Sequence, residues 1–210
     1  MILVYRGKVA VGVLCASLGF VASTICPATV FTSSVSLLPN APFPPNGQPG
    51  FEIQAWTQPN NSGDGAFLDM TISPGLVLSP YDWTVGIAHK WYGANLGDAF
   101  TIADHSSFPL FADTSTYPVT LGNMQLSVGE DFYLAFWLVD GPPGLGWAHL
   151  QLTSPTSLVL LGNAIDNSGA GIYVGTTTVV PEPSALTLSL LSGILLIPTL
   201  RLRRRSMQTR

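Results

Sequence analysis

Three histidines, His89, His105 and His149, are the side chains of this sequence best suited to proton transfer near neutral pH. No two of them have the close spacing of a zinc-binding helix. The string Asp104-His105-Ser106 contains the residue types of a catalytic triad, but a triad is assembled in space from residues that are distant in sequence. We therefore expect a protein that is not an enzyme.

The strongest ligand signal is the oxygen-rich segment from Asn60 to Gly65. Side-chain oxygens at alternate positions followed by a glycine are typical of the opening of a calcium loop, although Thr71 occupies the place of its closing glutamate. The same residues suit an ordinary hairpin turn without a metal, which is the interpretation we favour. If calcium binds here, the expected ligands are Asn60, Ser62, Asp64 and Asp69.

The cysteines and the charges exclude several classes of site. Cys15 and Cys26 are the two cysteines of the chain, and removal of the first 28 residues would leave no thiol for a disulfide, a zinc site or a nucleophile. Seven of the eight basic residues lie at the two ends of the chain, so Lys90 alone accompanies all twelve acids in between. A nucleic-acid-binding protein needs a basic face, and we expect no nucleic-acid partner.

Aromatic residues offer a second type of binding site. Tryptophan and tyrosine rings stack on sugars, but they also fill the cores of β-domains. The Trp91-Tyr92-Gly93 cluster is the one that we expect at the surface. A carbohydrate-binding or calcium-binding β-sandwich module is accordingly the alternative function.

Residues 51–178 carry the pattern of an all-β domain. Short alternating or β-branched runs recur between turn residues, without a sustained helical period, which predicts an antiparallel β-sandwich or jelly-roll-like domain. The runs Phe132 to Val139 and Trp147 to Thr153 predict a core hairpin around a Gly-Pro-Pro-Gly turn, with Phe136 and Trp147 buried. The first run is apolar on both faces and should be a central strand.

The N-terminal segment has the layout of a secretory signal peptide. Arg6 and Lys8 precede a short apolar run, and small residues follow near Ala22 and Ala28. We expect residues 1–28 to be a signal peptide, with a signal peptidase removing about the first 23 to 28 residues and the remainder being exported. Residues 29–50 are rich in Pro and Gly and predict an extended linker.

The C-terminal segment, residues 179–210, has three parts in a fixed order. Pro181, Glu182 and Pro183 come first, an apolar run from Ala185 to Leu200 follows, and an arginine cluster ends the segment. The run predicts a transmembrane helix in the inner membrane, with its C-terminus held in the cytoplasm by the basic residues. Those topology-determining residues are Arg201, Arg203, Arg204 and Arg205.

The order of these three parts resembles the PEP-CTERM sorting signal of exported bacterial proteins. The resemblance implies that an exosortase, a membrane protease, recognises Pro181, Glu182 and Pro183 and removes the tail. Prolines on both sides of Glu182 favour the extended backbone that a protease cleft binds. The order of Phe132 to Gly175 is also similar to a β-rich region of many PEP-CTERM proteins, to which no catalytic residues are assigned.

Together these patterns predict an exported protein that acts at the cell surface or in the extracellular matrix. The expected partners are the exosortase, the signal peptidase, the inner membrane and the exopolysaccharide of a biofilm.

Overall fold

The computed structural model describes residues 30–39, 45–58, 65–82, 89–113, 120–138 and 144–181. These ranges contain fourteen strands and two short 3-10 helices, at Pro45–Gly47 and His105–Ser107. The strands are β1 (Val30–Phe31), β2 (Val35–Pro39), β3 (Gly50–Trp56), β4 (Gly65–Ser73), β5 (Val77–Asp82), β6 (His89–Ala94), β7 (Ala99–Phe100), β8 (Leu110–Asp113), β9 (Thr120–Leu121), β10 (Met124–Gln125), β11 (Asp131–Leu138), β12 (Gly144–Ser154), β13 (Ser157–Asp166) and β14 (Ile172–Tyr173).

The strands form three sheets, and every strand pair is antiparallel. A seven-stranded sheet has the order β1-β13-β12-β11-β6-β8-β9, a five-stranded sheet has the order β10-β5-β4-β3-β2, and β14 pairs with β7. The prediction of an all-β, antiparallel domain is confirmed.

The main core lies between the two larger sheets, and alternation along β11 shows how the sequence builds it. Phe132, Leu134, Phe136 and Leu138 point into this core, where they join buried residues of the five-stranded sheet such as Ile53. Successive side chains of a strand point to opposite faces, so the alternate residues of β11 must lie on the other side of the sheet.

A second apolar cluster covers that other side. Ala135 of β11 and Trp147 of β12 pack there beneath Phe100, Ile172 and Val174, which belong to the two-stranded sheet and its flanks. Both faces of β11 are therefore covered, as its uninterrupted apolar sequence predicts. The predicted central position of β11, the hairpin that it forms with β12, and the burial of Phe136 and Trp147 are confirmed.

The structure corrects the predicted linker at residues 29–50. Residues of this segment form β1 on the edge of the seven-stranded sheet and β2 on the edge of the five-stranded sheet. The Ser34 N–H donates to Asn163 Oδ1, and the Ser34 carbonyl accepts from the Trp56 N–H, so the turn between β1 and β2 is bonded to both sheets. The β-domain therefore begins before Phe51.

The predicted signal peptide, residues 1–28, and the predicted transmembrane helix lie outside the described residues. Within the ranges that are described, no helix is both long enough and apolar enough to cross a membrane.

Candidate functional site

The predicted sorting tripeptide begins directly after a hydrogen-bonded residue of the β-domain. The Val180 N–H donates to the Gly171 carbonyl at 2.9 Å, and Val179 forms a bridge with Ile172. Pro181 follows directly and is exposed. The remaining predicted residues of the sorting and topology signals, Glu182, Pro183, Arg201, Arg203, Arg204 and Arg205, lie outside the described residues.

The predicted calcium ligands are only partly located. Asn60, Ser62 and Asp64 fall outside the described ranges, whereas Asp69 is buried in strand β4, opposite Glu52 of β3. Among the described residues there is no group of three or more His, Cys, Asp or Glu side chains placed to hold a metal ion. The calcium loop stays a prediction.

The expectation of an exposed Trp91-Tyr92 cluster is wrong. Trp91 is fully buried in the main core against Phe136, and Tyr92 is buried on the opposite face of the sheet. Two neighbouring residues of a strand necessarily face opposite sides. Here both sides of β6 are covered, because a second apolar layer lies over the seven-stranded sheet.

A cluster of polar and aromatic side chains lies at one end of that outer face. We call it the Trp137 cluster, and it consists of Lys90 and Tyr92 on β6, Asp113 on β8, Trp137 on β11 and His105 of the second 3-10 helix. Lys90 stands opposite Asp113 of β8 on one side of β6 and opposite Trp137 of β11 on the other side. Strand pairing alone therefore places these three side by side.

Contacts within the Trp137 cluster are close. Lys90 Nζ lies 3.2 Å from Asp113 Oδ2. The His105 ring packs 4.7 Å from the half-buried Trp137 ring, and its Nδ1 lies 2.6 Å from the Ile102 carbonyl oxygen, which fixes the orientation of the imidazole. Burial, together with the negative charge of Asp113, raises the pKa of Tyr92 to about 12, so this hydroxyl stays protonated near neutral pH.

A second group of side chains lies further along β11 and β12. His149 Nε2 lies 2.8 Å from Asp131 Oδ2, and the Tyr133 ring stacks on the imidazole at 4.2 Å. Burial and the charge of Asp131 raise the pKa of Tyr133. Asp131 is half exposed, so its contact with His149 lies at the water-accessible rim of the sheet.

Sequence reasoning missed both groups because each depends on strand register. The hairpin of β11 and β12 is a local feature that the sequence predicts, but its register, which places Tyr133 opposite His149, is not symmetric about the Gly-Pro-Pro-Gly segment. No comparable local signal connects Lys90 with Asp113, because β7 and the second 3-10 helix lie between β6 and β8 in the sequence.

A shallow cleft of about 420 Å³ opens beside the two-stranded sheet. Its lining includes Gly93, Asp98, Ser107 and Met124. Asp98 Oδ2 accepts the Asn95 N–H at 2.8 Å, so this carboxylate already stabilises the adjacent turn.

Comparisons with protein-family models, with curated proteins and with solved structures found no match.

Proposed function

We propose that this chain is an exported protein that an exosortase sorts to the cell surface or the extracellular matrix, where its β-domain acts without catalysis. The observation that carries the proposal is the order of Pro181-Glu182-Pro183, the apolar run and the arginine cluster. A signal-peptide pattern at the other end of the chain supports export.

The position of the tripeptide also supports this proposal. A membrane protease can bind only chain that is not engaged in a sheet, and Pro181 is exposed directly after Val180, which is hydrogen-bonded to Gly171. Prolines at positions 181 and 183 favour an extended backbone. Glu182 is then the charged residue that the protease cleft recognises.

The decisive experiment is intact-mass spectrometry of surface protein from a host that carries an exosortase. The wild-type chain should lack both the N-terminal signal and the tail, whereas Glu182→Ala should keep residues 185–210. Ser184→Ala is the matched control, because it changes a neighbouring polar residue without removing the charge, and it should be processed. A wild-type surface protein that retains residues 185–210 would refute the proposal.

Replacement of Arg203, Arg204 and Arg205 by Gln tests the arginines separately. These residues should fix the orientation of the tail, since basic residues favour the cytoplasmic side of a membrane. The variant should leave the membrane or insert its tail in the wrong orientation, although its tripeptide is intact. Unchanged retention in the membrane with unchanged orientation would contradict this role.

The Trp137 cluster favours a carbohydrate-binding module as a second candidate function. A half-buried indole beside a lysine, a carboxylate and an imidazole offers both a ring to stack on a sugar and polar groups for its hydroxyls. Glycan-array binding should fall in Trp137→Ala. Lys90→Gln, a milder change at the partly exposed rim, should weaken binding without unfolding the domain. Binding equal to that of the wild type in both variants would exclude this site.

A further inference from the structure

The entry and the exit of the β-domain lie at the same place. Val30 in the first strand stands opposite Asp166. Asp166 Oδ2 accepts the Gly171 N–H at 3.0 Å, and the Gly171 carbonyl accepts the Val180 N–H at 2.9 Å. One strand pair and two hydrogen bonds therefore connect the start of the domain to its end.

We call this end of the molecule the entry pole and define it by Val30, Asp166 and Val180. Thr57 belongs to the same end, because its carbonyl accepts a hydrogen bond from the side chain of Asn167. The exposed residue Gln58 follows it.

The opposite end, the far pole, contains the turns at residues 128–130 and 155–156. The Gly129 N–H donates a hydrogen bond to the Leu152 carbonyl near the C-terminal end of β12. The first of these turns therefore lies at that end of the strand. Strand β12 has 11 residues and runs from the entry pole to the far pole. At about 3.3 Å per residue, the two poles are about 33 Å apart.

The distance from the entry pole to the predicted membrane helix is short. Only residues 181–184 separate Val180 from the apolar run that begins at Ala185. The five residue steps from Val180 to Ala185 span at most about 18 Å, and two of the four residues between them are prolines. A chain held by this tail therefore has little freedom to turn its far pole toward the bilayer.

We infer that the membrane-held precursor carries its β-domain with the entry pole against the bilayer and the far pole pointing away. This inference rests on the proposed function, because it needs the tail to be in the membrane. The protease must then cut within the narrow gap between the domain and the lipid.

Spin labels at the two poles test this orientation. The full chain, with Cys15→Ser and Cys26→Ser, is produced in a host without exosortase, labelled at Gln58→Cys or Val128→Cys, and reconstituted in vesicles of phosphatidylethanolamine and phosphatidylglycerol that contain a nickel-chelating lipid. Val128 is 51% exposed and lies at the far pole. Nickel should relax the label at residue 58 several-fold more strongly than the label at residue 128.

Each outcome separates the inference from the proposed function. Chain that does not float with the vesicles refutes the membrane tail, and the orientation with it. Chain that floats but shows equal or reversed relaxation refutes the orientation alone. A flexible Gly/Ser linker of about 20 residues after Val180 adds about 25 Å of reach and should abolish the difference. A difference that survives the linker would contradict the short tether as its cause.

Discussion

The indole N–H of Trp147 donates a hydrogen bond of 2.8 Å to the main-chain carbonyl of Thr176. This bond connects strand β12 of the seven-stranded sheet to the turn that precedes the chain exit at Val180. The outer apolar layer is thus fixed to the sheet by a directional contact as well as by burial.

Trp147→Phe removes this hydrogen bond but keeps most of the apolar ring. We expect the free energy of unfolding to fall by about 0.5–1.5 kcal/mol, because the half-buried Thr176 carbonyl loses this hydrogen bond. Thermal or urea unfolding of the full chain in detergent measures the loss. Trp137→Phe is the control, since the Trp137 indole nitrogen has no hydrogen-bond partner among the described residues, and it should cost less. Equal losses would contradict a specific role for the Thr176 bond.

Gly146 of β12 lies where the sheet leaves no room for a side chain. A Cβ at this position would approach the Ala164 carbonyl oxygen to 2.7 Å and the Phe136 ring more closely still. We expect Gly146→Ala to destabilise the domain by about 1–3 kcal/mol through overpacking.

Gly162 of β13 provides the matched control for Gly146. A Cβ there would lie 3.7 Å from the Trp147 ring, which is an ordinary contact. Alanine also has the lower conformational entropy in the unfolded chain, so Gly162→Ala should be neutral or slightly stabilising. A variant pair with the same urea midpoint would show that the Gly146 site can relax.

The β11–β12 hairpin shows what the sequence determines locally. The run from Phe132 is apolar on both faces and the run from Trp147 alternates more clearly, which together indicate two paired strands in the core. The all-β class, the central strand and the burial of Phe136 and Trp147 could be predicted in this way.

Strands that depend on distant partners were harder to predict. Strand β5 contains Pro80, which argues against a strand, yet it is accommodated next to a bulge at Asp69 and Met70 of β4. Strands β1 and β2 lie in the segment expected to be a linker. Strand β1 pairs with β13 near the other end of the domain, whereas β2 pairs with β3, which follows the segment directly. Likewise, the Lys90–Asp113 ion pair requires the order of the strands in the sheet, which no local pattern contains.

The raised pKa of Tyr92 predicts an alkaline loss of stability. Its pKa increases from 10.0 to about 12, first through burial and second through Asp113. Below pH 10 both the folded and the unfolded chain keep this proton, so the full stability is present. Between pH 10 and about pH 12 the unfolded tyrosine ionises first, which favours unfolding as the pH rises.

Urea unfolding at several pH values measures this effect. Tyr92→Phe should make the decrease in stability between pH 10 and 12 less steep. Asp113→Asn should lower the pKa of Tyr92 but leave it above 10.0, since burial is the larger cause, and ultraviolet titration of the tyrosines detects that change. A slope that is identical in wild type and Tyr92→Phe would assign the alkaline sensitivity to other groups.

Asp166 and Asp131 allow a buried and an exposed carboxylate to be compared in one domain. Asp166 is fully buried and accepts hydrogen bonds from the Ser168 N–H, the Ser168 hydroxyl and the Gly171 N–H at 2.9–3.0 Å. Asp166→Ala leaves these donors without their acceptor and should cost at least about 2 kcal/mol. Asp131→Ala removes the exposed pair with His149 and should cost about 0–1 kcal/mol. Urea unfolding at neutral pH followed by tryptophan fluorescence compares them directly.

The larger cost at Asp166 should be accompanied by faster amide exchange at Gly171 and Val180, because this carboxylate holds the chain exit in place. Equal costs, or unchanged exchange at Val180, would show that the entry pole is held together by its apolar contacts instead.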